Sequence, residues 1–157
     1  MAFFDAERSA LEAGDLDAAA EATVVAWVDG PRRGPAAVPS AVRDAVRAMQ
    51  RRAFDLTSDW PDAVWEAEDE LDPEAPERLG EIDVPALVIS GGLDIDSITL
   101  AADRLRADLT TVRGVVWDDV AHLPPVERPD DFAAQVLEWV RRVDERASTG
   151  PGPGQVV

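Results

Sequence analysis

Cysteine, lysine, tyrosine and asparagine are all missing from this sequence of 157 residues. Without cysteine there is no disulfide, no thiolate metal site and no cysteine nucleophile. Without lysine, all 15 positive side chains are arginine, and they face 32 acidic ones for a net charge of −17. Nucleic acid and anionic membrane surfaces repel such a chain, so neither is expected as a partner. No apolar run approaches the ~20 residues that a membrane-spanning helix needs. The opening Met1-Ala2-Phe3-Phe4-Asp5 lacks the basic region and apolar stretch of a secretory signal, so a cytoplasmic location is expected. The lack of lysine beside abundant alanine and proline fits a G+C-rich codon bias; an acidic, lysine-free surface also suits high salt.

The first 58 residues read as helical. An apolar stripe through Phe4 and Leu11 stops at Gly14, and glycine suits the left-handed end of a helix. Asp15 is placed to cap a second helix. That helix carries Leu16, Ala20, Val24, Trp27 and Val28 on one face and ends before Asp29-Gly30-Pro31. Residues 30 to 39 hold three prolines and two glycines and form a loop. Ser40 is expected to cap a third helix, with Val42, Val46, Met49, Ala53 and Leu56 along one side. Residues 57 to 76, with Trp60 and Trp65, read as an irregular acidic connection.

The second half changes character. Val84-Pro85-Ala86-Leu87-Val88-Ile89 is almost wholly apolar and ends at Gly91-Gly92. Such a run suits a parallel strand covered on both faces. Ser97 is expected to cap a helix bearing Ile98, Ala101, Ala102, Leu105 and Leu109. A second strand spans Val112 to Trp117, completing one strand–helix–strand unit. Pro129 opens a last helix, where no N–H is needed. Its acidic start and its Arg141, Arg142 and Arg146 end complement the helix dipole. Its expected buried stripe is Phe132, Val136, Leu137, Val140 and Val143. The Gly/Pro-rich tail after residue 147 is expected to be disordered.

In open α/β sheets, functional groups gather beyond the carboxyl ends of the strands. Asp94 follows the first strand and His122, the only histidine, follows the second. A carboxylate accepting from one imidazole nitrogen fixes the tautomer and leaves the other nitrogen as a base. Asp94 could instead cap the following helix, but Asp96, beside Ser97, suits that role better. Asp118 and Asp119 form an acidic rim rather than a metal site, and Gly91-Gly92 lacks the G-x-G-x-x-G spacing of a dinucleotide turn. No metal and no cofactor is expected. Trp27 and Trp65 suit either a substrate pocket or a helical core.

At these residues the chain resembles the α/β-hydrolase family. The family's acid sits in a Gly-x-x-Asp turn after a Val-Pro-x-Leu-Val-Ile strand; here Gly91 to Asp94 follow Val84 to Ile89. Its histidine turn often continues as His-x-Pro, with Glu-x-Pro soon after; here stand His122-Leu123-Pro124 and Glu127-Arg128-Pro129. Leu11 to Asp15 and Trp27 to Pro31 resemble the helical cap of esterase-like and C–C-cleaving members. Val120 and Ala121 stand where the family has small glycines, which is expected to shift His122 slightly. The family's Gly-x-Ser-x-Gly nucleophile turn has no counterpart among Ser9, Ser40, Ser58, Ser90, Ser97 and Ser148.

The resemblance implies an α/β fold: the C-terminal part of an α/β-hydrolase, with a helical cap segment followed by two parallel strands and flanking helices. The expected boundaries are 1–75 for the cap-like segment, 76–146 for the core part and 147–157 for the tail. It implies ester or C–C bond hydrolysis, with Asp94 and His122 as catalytic acid and base. Such a half, inactive alone, would act on a small-molecule substrate when an N-terminal half complements it. The alternative is a non-catalytic, self-associating or binding module derived from a hydrolase. The free edge of so small a sheet makes a homo-oligomer a further expectation.

Overall fold

The computed structural model describes residues 2–60 and 72–149. Trp65 and the tail beyond residue 149 lie outside the described residues.

Helix α1, Ala2–Glu12, stops at Gly14, whose φ of 71° is the left-handed conformation expected there. Asp15 caps helix α2, Leu16–Val24, accepting from the Ala18 N–H at 2.9 Å. The chain then widens into a π-helical turn, Val25–Asp29. Such a turn admits one extra residue per hydrogen-bonded ring. Here Val28 and Asp29 are both buried in it. Helix α3, Ser40–Thr57, returns along α2. Ser40 is not its cap. Extended Pro39 occupies that position, and its carbonyl accepts from the N–H groups of Val42 and Arg43. Ser40 therefore already lies in the first turn.

Val24, Val28, Val38 and Val46 make the core of this helical part, with Val42, Leu123 and Val126 against it. Leu123 and Val126 come from beyond the second strand, so the core ties the two halves together. The α3 stripe is buried only in its first part: Val46 is enclosed, while Met49 and Leu56 are exposed.

Strands β1, Ala86–Gly91, and β2, Val112–Trp117, pair in parallel from Ala86 opposite Val112 to Gly91 opposite Trp117. Helix α4, Asp96–Asp108, connects them. Adjacent strand residues point to opposite faces. Arg113 reaches Glu138 of the last helix, whereas the α4 side chain Arg106 lies over Gly114. Helices therefore flank both faces of the sheet, the arrangement that a near-continuous apolar strand requires.

Two sequence expectations about α4 need correction. Its cap position is held by extended Ile95, whose carbonyl accepts from Ile98 and Thr99 N–H groups. Ser97 is thus inside the helix. Asp96 does not cap it either; its carboxylate pairs with Arg32. A short helix α5, Pro124–Glu127, precedes the last helix α6, Pro129–Thr149. The buried side of α6 also differs from the expected stripe. Leu137 and Val140 are exposed, while Trp139 joins Phe132, Val136 and Val143 on the half-buried side.

Candidate active site

The strand register decides where the chemistry sits. Gly91 and Trp117 end their strands level with each other, so the turns that follow emerge side by side. Trp117 O accepts from the N–H groups of Gly92 at 2.8 Å and Val120 at 3.2 Å, and Val120 O accepts from Leu93 N–H at 3.0 Å. The two turns are stitched together by main-chain hydrogen bonds. Gly91 lies at their crossing. A Cβ there would come within 2.0 Å of Ala121 O and 2.3 Å of Val120 O, so no other residue fits.

The stitching brings Asp94 and His122 together. Asp94 Oδ2 lies 2.8 Å from His122 Nδ1. The second carboxylate oxygen accepts from Ile95 N–H at 2.7 Å. Asp94 is only 3% exposed, while the His122 side chain is 34% exposed. The carboxylate is thus fixed by its own main chain, and the imidazole edge remains open. In the neutral tautomer whose Nδ1–H donates to Asp94, Nε2 keeps its lone pair, which is the arrangement a general base needs. Val120 and Ala121, both buried, do not push His122 out of reach.

Residues 27 to 33 cross above both turns. Trp27 O accepts from His122 N–H at 3.1 Å, and the indole packs against the imidazole with centroids 4.4 Å apart. Phe4 meets the other side of Trp27 edge-on at 5.9 Å. Gly30, at φ 73°, lets the crossing come close: a Cβ there would sit 2.6 Å from Leu93 O and 3.1 Å from Ala121 Cβ. Arg32 Nη1 donates to Asp94 O at 2.6 Å. Arg33 donates to Asp119 O at 2.8 Å and to the Glu127 carboxylate at 2.6 Å. Glu127 in turn accepts from Ala121 N–H at 3.0 Å.

Sequence reasoning placed Asp94 and His122 but assigned no role to Arg32, Arg33 or Glu127. The only signals were the Asp-Gly-Pro-Arg-Arg run in a loop and the Glu-x-Pro after the histidine. Neither says which backbone groups those side chains reach. Asp118 and Asp119 are exposed. Among the described residues no group of three or more metal-ligating side chains occurs. Ser58 and Ser148 donate to carbonyls of their own helices, and Ser90 accepts from Arg106. A cavity of about 680 Å³, lined by Ala86, Val112, Trp139 and Arg142 among others, lies at the beginnings of the strands. That is the opposite end of the sheet from Asp94 and His122, so it cannot serve them. Among the described residues no helix is long and apolar enough to cross a membrane.

Known proteins are similar to part of this chain or share part of its fold. No protein-family profile matches the sequence. A proline iminopeptidase from Lactobacillus helveticus (strain DPC 4571) is 24% identical over 117 residues, covering 62% of this chain and 40% of that protein. A second, from Lactobacillus crispatus (strain ST1), is 23% identical over 116 residues, covering 61% and 39%. Among solved structures, Est816, an N-acyl homoserine lactone degrading enzyme, superposes with a TM-score of 0.59 at 20% identity, over 85% of this chain and 50% of its own. A bacterial membrane phospholipase A gives 0.50 at 20% identity, over 82% and 39%. The chain therefore spans about two fifths of the length of the curated relatives it matches and half or less of the structural ones.

Proposed function

From the premise that this chain is α/β-hydrolase-like, we propose that it carries the acid and the base of a hydrolase site acting on an ester or C–C bond. The observation that supports this is the 2.8 Å contact between buried Asp94 and the Nδ1 of the single, half-open His122. Asp94 holds the imidazole in one tautomer. His122 Nε2 takes the proton of an attacking hydroxyl and later returns it to the leaving group. Helices α1 to α3 act as the cap, and the part from residue 76 onward contributes the core. The nucleophile and the oxyanion donors come from sequence outside these 157 residues, in the same polypeptide or in another, because no Gly-x-Ser-x-Gly occurs in them. Two of three members do not form an acyl-enzyme, so this chain alone turns over no ester.

The test pairs the purified chain with the Gly-x-Ser-x-Gly-bearing segment encoded upstream of it and follows hydrolysis of an aryl ester. Activity is expected only from the pair and is lost with His122→Ala. Equal activity of the His122→Ala pair overturns the proposal.

A second reading rests on a different observation. Leu87, Val88 and Ile89 of β1 are only half-buried, and Val84 and Val116 are exposed. Such a sheet suits a self-associating or binding module. Light scattering across a concentration series separates the readings. A defined homo-oligomer with no gain of activity beside the nucleophile-bearing segment favours the module.

A further inference from the structure

Arg33 and Glu127 form an ion pair that is nearly buried, with side chains 11% and 8% exposed. Both groups make further hydrogen bonds within the protein. Besides Glu127, Arg33 donates to the carbonyls of Val28, Asp29 and Asp119. Glu127 gives one oxygen to Arg33 and the other to Ala121 N–H. A guanidinium offers five N–H groups in a fixed fork, so one side chain can span several backbone strands at once. Here the fork joins the crossing segment at Val28 and Asp29 to the turn that carries His122. The backbone of that turn is held at three successive points: Asp119 O by Arg33, Ala121 N–H by Glu127, and His122 N–H by Trp27 O.

The His122 ring itself is fixed by two contacts, Asp94 at Nδ1 and the Trp27 indole of the crossing segment. Its main-chain N–H goes to the crossing segment rather than to its own strand or turn. Its Nδ1 meets Asp94, whose own carbonyl is held by the neighbouring Arg32. We infer that Arg33 and Glu127 are positioning residues for His122: through their ion pair the segment 27–33 sets the orientation in which the imidazole meets Asp94. The inference rests on the reading of Asp94 and His122 as acid and base, but it concerns the order of the imidazole in this chain and needs no nucleophile.

With one histidine in the sequence, nitrogen-15 NMR of the imidazole reports its tautomer and the exchange of its Nδ1 proton without overlap. The expected wild-type spectrum shows the Nδ1–H tautomer with a slowly exchanging proton. Asp94→Asn is expected to remove that signature, and its survival in Asp94→Asn sinks the acid–base reading itself. Arg33→Met and Glu127→Leu are expected to leave a cooperative melt and the helical circular dichroism, yet to speed Nδ1 proton exchange at least tenfold and mix the tautomers. Loss of stability alone would speed the exchange through opening but would not mix the tautomers of the folded state. If either variant fails to fold, Arg33→Lys and Glu127→Gln replace them. The ammonium cannot reach Val28, Asp119 and Glu127 together, and the amide keeps the Ala121 contact without the charge. Exchange severalfold faster than wild type is expected for Arg33→Lys and, to a smaller extent, for Glu127→Gln. A wild-type imidazole spectrum in folded Arg33→Met or Glu127→Leu overturns the assignment, as does a wild-type spectrum in Arg33→Lys where the first two do not fold.

Discussion

The two halves of this molecule are built to different degrees of enclosure. Residues 2–60 bury a compact set of side chains, with Ala19, Ala20, Val24 and Val28 all at 0% exposure. In the strand-bearing half, the central strand residues from Leu87 to Ile89 are only half-covered, and α6 contributes no fully buried residue among those described. The difference follows from architecture. Three helices packed side by side close most of a small core, which Leu123 and Val126 complete. A parallel sheet needs helices on both faces and strands on both edges. Two strands with one helix per face provide less than that. The enclosed residues of this half are concentrated instead where the acid and histidine turns meet the helical part: Gly91, Asp94, Ile95, Val120 and Ala121. Enclosure in the strand half is thus greatest at the candidate site, with Ser90, Ala102 and Leu109 buried along the sheet.

This contrast can be broken most sharply at Asp29. It is 2% exposed and ion-paired with Arg43 of α3, itself mostly buried. Asp29→Ala leaves the mostly buried guanidinium of Arg43 with Glu21 alone to compensate it and is expected to cost about 3 kcal/mol. Urea denaturation measures it, and a loss below about 1 kcal/mol would show that the helical half does not depend on this pair. Next comes Val28→Ala. Removing two methyl groups from the closed core is expected to cost about 1.5–3 kcal/mol. The same truncation at exposed Val116 should cost under about 0.5 kcal/mol, and equal values at the two sites would abolish the difference in enclosure.

Gly30→Ala acts on the joint between the halves. Its left-handed backbone and the approach of Leu93 O both oppose a side chain, so a loss of about 1–3 kcal/mol is expected. Faster hydrogen exchange at His122 N–H than at the amides of α2 would localise the damage to the crossing. The smallest effect is expected at Arg104, whose ion pair with Asp108 is exposed on both sides. Arg104→Ala should change stability by about 0–0.5 kcal/mol, less still at high salt.

Much of the fold was legible because its signals are periodic or punctuated. Gly14 and Asp15 mark the α1–α2 junction, and the apolar run before Gly91 marks β1. Parallel pairing followed from the connecting helix. The meeting of Asp94 and His122 was legible as soon as the two strands were taken as neighbours. Other features were not. Pro39 and Ile95 outcompeted Ser40, Ser97 and Asp96 at helix starts because the chain enters these helices one or two residues earlier than polar capping would place it. Which α6 residues face the sheet depends on the roll of that helix, which brings Trp139 inward and leaves Leu137 and Val140 out. The π-helical turn at Val25–Asp29 has no sequence mark, and it is this turn that lays Trp27, Arg32 and Arg33 across the site.

The bonds of that crossing also set a sequence of events in time. Helices α1, α2 and α3 meet through near neighbours in the chain, and such contacts form early because little loop entropy opposes them. The contact of Arg33 with Glu127 joins residues 94 positions apart, and Arg33 with Asp119 spans 86. These close only after both the helical part and the strand pair exist. A refolding chain is therefore expected to acquire its helices first and its ordered imidazole last. The ring of His122 is thus a clock for the final step of folding, readable by following its environment after dilution from urea.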